Sequence, residues 1–192
     1  MAWKGILSVQ LFRPEGGTIG VSNTCFNYRD KTATKFWATS DEGDLFLADW
    51  CAKPSEEQSK IEIIQKIWSS ERSGRPTVAL DISPFFDDII LTVYDSYFTL
   101  WKTDCEEPIF VSYTIDKGTW ITSGFFSPSR PGVIYIGRAD GNLDIWDFID
   151  QSSAPTFTHL VVAVGIHSMK INPTKPNLLA VGDRDGYLHM LD

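Results

Sequence analysis

Three histidines, three cysteines and 25 acidic side chains are the residues of this 192-residue chain from which metal, thiol or acid–base chemistry would be built. His159, His167 and His189 have no second His or Cys at the i+2, i+3 or i+4 spacing that brings two ligands onto one face, so they read as strand or turn histidines. No G-x-S-x-G elbow exists to expose a nucleophilic serine, and the acids that can be placed serve turns. Gly137-Arg138-Ala139-Asp140-Gly141 contains two glycines but joins strand to strand and opens no helix, so it is not a phosphate cradle. Cys25, Cys51 and Cys105 lie far apart, are odd in number and form no C-x-x-C pair, which fits free thiols in a reducing compartment. No catalytic, cofactor-binding or metal-ligating residue is assigned, and no cofactor is expected.

The segments that would have to position any site are β-strands. In YIGRADGNLDIWD (Tyr135 to Asp147), one β-rich run ends at Ile136, and Asp140-Gly141 favours the positive-φ backbone of a tight hairpin turn. Leu143 and Ile145 then alternate with polar neighbours as a half-buried strand does. FWATSDEGDLFLAD (Phe36 to Asp49), ILTVYDSYFTLWK (Ile90 to Lys102) and LLAVGDRDGYLHMLD (Leu178 to Asp192) repeat the pattern.

Three columns align these copies. Gly43, Ser96, Gly141 and Gly186 mark the turn at steps of 53, 45 and 45 residues, each after an acid: Glu42, Asp95, Asp140 and Asp185. The acid can accept hydrogen bonds from turn amides while glycine takes the conformation other residues resist. Ser83-Pro84, Ser127-Pro128 and Asn172-Pro173 form the second column, where Pro ends a strand and the polar residue caps the turn; Phe26-Asn27 matches it without a Pro. Gly20, Gly74, Gly118 and Gly165 form the third. Before each lies another β-rich run: Ile6 to Phe12, Ile61 to Trp68, Pro108 to Ile115 and Thr156 to Val164. The longest connector, containing PSEEQSK with Glu56-Glu57, reads as a solvated loop, as does Glu106-Glu107.

Four strands in roughly 45 residues, closed by a Trp-Asp-like pair, are the signature of a WD-repeat β-propeller. The expected fold is therefore all-β, with four blade-like units at about residues 4–50, 51–103, 104–148 and 149–192 in a single partial propeller. Trp146-Asp147 is a full pair; Trp101-Lys102, Leu191-Asp192 and Ala48-Asp49 keep half of it. A lone four-stranded sheet has two apolar faces, so neighbours must stack around an axis. Val78, Leu80, Ile82, Ile121, Phe125, Met169 and Ile171 belong to the strands expected nearest that axis, and the terminal Trp is expected to pack between sheets. Four units are few for such a ring. The favoured expectation is a fragment of a larger ring, whose open strand edges would aggregate or recruit a partner. The alternative is closure of a small ring by pairing Ile6–Phe12 with Tyr187–Leu191.

Composition is that of a globular protein: 43% hydrophobic, 13% aromatic, 22% charged, with 14 glycines and 10 prolines. A net charge of -8 with no Lys/Arg cluster argues against nucleic acid as a partner and for protein. Ser8 and Gln10 interrupt the first apolar run, which makes neither a signal core nor a membrane span, and no later stretch is long enough. The expected location is the cytosol or a structure bathed by it.

The runs RPTVALDISPFFDDIILTVYDSYFTLWK (Arg75 to Lys102), PGVIYIGRADGNLDIWDF (Pro131 to Phe148) and NLLAVGDRDGYLHMLD (Asn177 to Asp192), with QSKIEIIQKIWSS (Gln58 to Ser70), resemble the propeller of dynein intermediate chains, particularly the axonemal inner-arm type. The resemblance implies a non-catalytic subunit in a cilium axoneme, docked on a dynein heavy chain among other intermediate or light chains. The family's amino-terminal light-chain-binding region has no counterpart here. Other readings are a ubiquitin-ligase substrate receptor or a chromatin-peptide reader on the same scaffold, and an enzyme on a propeller. Arg138 and Arg184 fall just before successive turns, on one end of the ring. With Tyr94, Trp120 and His167 they form the candidate partner-binding patch, Arg, Trp and Tyr being favoured at interface hot spots. The competing reading makes these five ordinary surface residues or inter-blade packers.

Overall fold

The computed structural model of the chain describes residues 11–13, 16–27, 29, 34–52, 64–69, 74–112, 119–172 and 174–192. Among the described residues every regular element is a strand, and every pairing is antiparallel between neighbours in sequence. The first sheet holds β1 (Val21–Cys25), β2 (Lys35–Ser40), β3 (Leu45–Asp49) and β4 (Ile64–Trp68). The second holds β5 (Ala79–Ile82), β6 (Ile89–Val93), β7 (Phe98–Lys102) and β8 (Phe110–Val111). The third holds β9 (Ile121–Phe126), β10 (Val133–Arg138), β11 (Asn142–Asp147) and β12 (Phe157–Leu160). The fourth has three strands, β13 (Ile166–Ile171), β14 (Leu179–Asp183) and β15 (Leu188–Leu191).

Sheets and sequence repeats are offset by one strand. The run that opens a repeat pairs back onto the sheet before it: β4 on β3, β8 on β7, β12 on β11. Each repeat thereby ties two sheets together covalently. The same offset explains why the fourth sheet departs from the expected four strands, since the run that would cover β15 would open a further repeat. The connector with PSEEQSK and residues 6–10 of the first apolar run lie outside the described residues. Of that run, Phe12 bridges Thr18, and Leu11 packs with Ala38, Phe46 and Ala48 of the first sheet.

The polar residue of the Pro turn does the capping its chemistry suggests. Ser83 Oγ accepts from the Phe86 amide at 3.2 Å, Ser127 Oγ from Arg130 at 3.2 Å and Asn172 Oδ1 from Thr174 at 2.9 Å. Asn27 Oδ1 accepts from Arg29 at 3.1 Å, so the first unit keeps the cap without the Pro. The opposite turns are closed less uniformly. Asp140 Oδ1 accepts from the Asn142 amide at 3.1 Å, as expected of the acid before the glycine. In the first and fourth turns the residue three before the glycine takes over: Ser40 Oγ accepts from Asp44 at 2.9 Å and Asp183 Oδ1 from Tyr187 at 2.8 Å.

Gly43, Gly141 and Gly186 have φ of 90°, 87° and 88°, the left-handed region that L side chains resist. Two of them carry a second constraint, because the connector to the next sheet crosses over them. A Cβ at Gly43 would lie 2.4 Å from the Arg75 carbonyl oxygen, and one at Gly141 would lie 2.0 Å from that of Val162. A Cβ at Gly186 would meet nothing within 4 Å among the described residues. Gly186→Ala is therefore expected to cost about 1 kcal/mol, the backbone term alone, and Gly141→Ala about 3 kcal/mol, because the Val162 backbone must move as well. Urea midpoints of the two variants check this, and equal losses would remove the crossing connector from the explanation.

The sheets abut in chain order through β1, β5, β9 and β13, and the core lies between them. Trp101 at the end of β7 is buried with Trp37, Leu45 and Trp68 of the first sheet. Trp146 at the end of β11 is buried with Leu91, Phe98 and Leu100 of the second. Both tryptophans thus fill the gap toward the preceding sheet, as expected of the residue before the Asp or Lys. Their indoles differ in one respect. Trp101 Nε1 donates to Thr92 Oγ1 at 3.0 Å, whereas Trp146 Nε1 is buried without a partner, Ile136 standing at the register position that Thr92 holds in the second sheet.

Candidate partner-binding surface

The candidate patch gathers where the strands that run up from the axis meet the glycine turns. Neighbouring loops are stitched there by backbone bonds: the Trp120 carbonyl accepts from Ala139 at 2.8 Å and the Gly165 carbonyl from Arg184 at 3.0 Å. A Cβ at Gly165 would lie 2.6 Å from the Ala139 carbonyl oxygen and 3.0 Å from Arg184 Cδ, so the two loops touch through that glycine. Trp120 and Arg184 therefore stand on adjoining loops, Trp120 54% exposed and Arg184 also exposed. His167 is exposed too, two residues past Gly165, at a bulge between Ile166 and Ser168 that turns it toward the axis.

Two candidates are corrected. Tyr94 is 1% exposed, its ring stacks on Tyr97 at 4.5 Å, and its hydroxyl donates to the Gly43 carbonyl at 2.7 Å. It joins the first and second sheets, and burial pushes its phenol well above the usual range. Arg138 has a side chain only 12% exposed, pairing through Nη2 with Asp140 Oδ2 at 2.6 Å and through Nη1 with Asp144 Oδ2 at 3.3 Å. Burial opposes ionisation of Asp140, but the hydrogen bonds from Asn142 and the charge of Arg138 outweigh it and hold the carboxyl below its ordinary value. Arg138 spends its charge inside its own sheet. Both residues looked like surface residues because a turn-flanking position says where the Cα lies, not which way a long side chain folds.

The described histidines and acids form no group able to hold a metal ion. His189 does have a carboxylate partner, Asp183, at 2.9 Å. That hydrogen bond is the main reason the Asp183 carboxyl sits below its usual range. The pairing is between neighbouring strands, six residues apart through a turn, and no helical spacing could reveal it.

A second feature lies along the axis. The first strand of each sheet, β1, β5, β9 and β13, lines one cleft of about 880 Å³. Its ionisable lining comprises Cys25, Arg29, Asp81, His167 and Lys170. Burial, then the nearby Asp81 charge, push the Cys25 thiol up to about 11, so it is an inert core thiol. Burial also raises the Asp81 carboxyl, although Asp81 Oδ2 accepts from the Phe126 amide at 2.9 Å across the gap between sheets. At the Pro-turn mouth, Phe26, Phe36 and Trp50 form an aromatic cluster with centroids 5.6 to 6.3 Å apart. A charge inside VALDI, a strand otherwise read as axial core, was the sequence signal for Asp81; Lys170 in SMKI carried the same one.

Four antiparallel meanders set side by side about an axial cleft, with glycine turns at one end and tryptophans wedged between neighbours, define a WD-repeat β-propeller. Residues 19–192 match the model of the dynein axonemal intermediate chain 3 WD40 domain, and the chain belongs to that family. It is 31% identical over 166 residues to human dynein axonemal intermediate chain 3, covering 85% of this chain and 18% of the relative. Against the ciliary dynein intermediate chain 3 of Heliocidaris crassispina it is 30% identical over 165 residues, covering 86% and 26%. Against the 70 kDa intermediate chain of the flagellar outer arm of Chlamydomonas reinhardtii it is 26% identical over 172 residues, covering 89% and 29%. The chain thus spans well under a third of the length of these relatives.

Proposed function

We propose that this chain acts as a protein-interaction scaffold of an axonemal dynein, docking on a dynein heavy chain through the glycine-turn end of its propeller. Trp120, 54% exposed on a loop adjoining that of the exposed Arg184, carries the reading, because an exposed indole and a guanidinium with no ion pair among the described residues are what interface anchors look like before a partner arrives. His167 completes the patch toward the axis. Other intermediate or light chains of the same motor are the further partners, in the cilium axoneme. The relatives that support this are named as axonemal, ciliary and flagellar dynein intermediate chains. A non-catalytic subunit is the reading that fits those names.

The test is recovery of an axonemal dynein heavy chain on tagged protein expressed in ciliated cells. Trp120→Ala with Arg184→Glu is expected to lower that recovery at least tenfold, consistent with the loss of two hot-spot residues at about 1–2 kcal/mol each. Circular dichroism should be unchanged, since both side chains are exposed. Recovery of ubiquitin-ligase or chromatin components without dynein chains would overturn the motor reading.

A further inference from the structure

The axial cleft differs in charge from the rest of the molecule. The chain carries a net charge of -8, yet the described lining of the cleft presents Lys170, Arg29 and His167 against one acid, Asp81. Both oxygens of that acid are occupied: Oδ1 accepts from the Ile82 amide at 3.0 Å and Oδ2 from the Phe126 amide at 2.9 Å. Lys170 is exposed on β13 and lines the cleft from the fourth sheet, opposite Cys25 and Asp81 of the first and second. It closes no ion pair among the described residues. Arg29 lines the cleft as well, donating to the Ser83 carbonyl at 2.6 Å and paired with Asp87 at 3.4 Å, so the free cation of the described lining is that of Lys170.

Beside this mouth stands exposed apolar surface. Phe26 lines the cleft, is 43% exposed, and packs at a tilt against Phe36 and Trp50. A lysine lining an apolar cleft, with the Phe26 ring at its edge and Phe36 and Trp50 packed beside that ring, suits a ligand that brings negative charge and an apolar group together. We propose that the axial cleft is a binding site for an extended acidic peptide segment of a partner protein, with Lys170 meeting its carboxylates and the Phe26–Phe36–Trp50 cluster taking a neighbouring apolar side chain. The site shares His167 with the Trp120–Arg184 patch but is argued from Lys170 and Phe26, and the inference does not depend on which protein that patch contacts.

At about 0.1 M salt the screening length is about 10 Å, so a peptide inside the cleft responds to the local cations more than to the distant surface acids. Fluorescence anisotropy of the full chain with a labelled Gly/Ser peptide centred on Glu-Glu-Phe tests this, with Gln-Gln-Phe and Lys-Lys-Phe peptides of equal length as comparators. The acidic peptide is expected to bind at least tenfold tighter than the neutral one in low salt, and to lose most of that advantage in high salt. Lys170→Glu should abolish the preference. Lys175→Glu, the same charge change on an exposed residue outside the cleft, should leave it intact. Equal binding of acidic and neutral peptides, an unaltered preference in Lys170→Glu, or an equal loss in Lys175→Glu would each overturn the proposal. Both positions are exposed, so folding should survive; near-ultraviolet dichroism of each variant checks that. Loss of heavy-chain recovery with peptide binding intact would count against the docking patch and leave the cleft standing.

Discussion

Trp146→Ala is expected to cost about 3–5 kcal/mol and Trp146→Phe only about 1 kcal/mol, a contrast that follows from what the indole does and does not touch. The ring fills the joint between second and third sheets, 5.1 Å edge-on to Phe98, 6.2 Å from Phe110 and 6.3 Å from Phe148. Removing it leaves a cavity that Ile134, Phe126 and Leu100 cannot close without shifting two sheets. Phenylalanine keeps most of the area, and it forfeits no hydrogen bond, because the Nε1 proton is buried without a partner. It even removes that unsatisfied donor, which offsets part of the lost volume. Trp101→Phe should behave differently. There the indole donates to Thr92, whose hydroxyl also bonds Thr99 at 2.5 Å, so the loss should be about 1 kcal/mol larger than for Trp146→Phe. Domain stability is only about 5–15 kcal/mol, so Trp146→Ala should remove a third or more of it. Urea denaturation followed by tryptophan fluorescence and dichroism measures the series; a small loss in Trp146→Ala would mean that the sheets are not held through this joint.

The repeat was legible because it is local. Hairpin turns, Pro-ended strands and a terminal aromatic recur at fixed spacing, and each is set by backbone preferences within a few residues. Gly141 and Asp140 were placed with their reason, and the capping by Ser83, Ser127 and Asn172 followed from the same chemistry. What crosses between sheets was not legible. Nothing near Gly141 in sequence reveals that the Val162 carbonyl oxygen lies over it, and nothing near Tyr94 reveals the Gly43 carbonyl that receives its hydroxyl. The offset between sheet and repeat belongs to this class, since strand order alone does not say which neighbour a connecting run prefers.

The surface divided along the same line. Trp120 and Arg184 kept their exposed positions because short loops leave a large side chain little to fold onto. Arg138 did not, because Asp140 and Asp144, two and six residues away, offered it carboxylates on its own sheet. The charges of the axial strands were overlooked for the opposite reason. Asp81 and Lys170 interrupt apolar runs, and in a strand assigned to a packed core such a charge marks either a buried bond or an opening; the cleft supplies both.

Leu188→Lys with Met190→Glu is expected to convert the 192-residue chain from a concentration-dependent, associating species into a monomer. The position two after each turn residue is filled by Leu45, Phe98, Leu143 and Leu188; the first three are 0%, 0% and 4% exposed, and Leu188 is 69% exposed. Met190 is 59% exposed on the same strand. In the other sheets this third strand is covered by β4, β8 or β12, and in the first and third a connector then crosses the turn glycine. β15 has neither among the described residues, and its outer edge offers unpaired backbone groups beside apolar side chains, the combination that recruits another strand. Charges at an open edge block such pairing without touching the core. Size-exclusion chromatography with light scattering from low to high micromolar protein gives the answer. A wild-type chain that stays monodisperse and monomeric throughout would refute the open edge as an associating surface, as would a double variant that associates equally well. Gly186→Ala separates the remaining possibilities: if the associating segment only pairs with β15, the alanine leaves association unchanged, and if it also crosses the turn as the Val162 carbonyl crosses Gly141, the alanine weakens it.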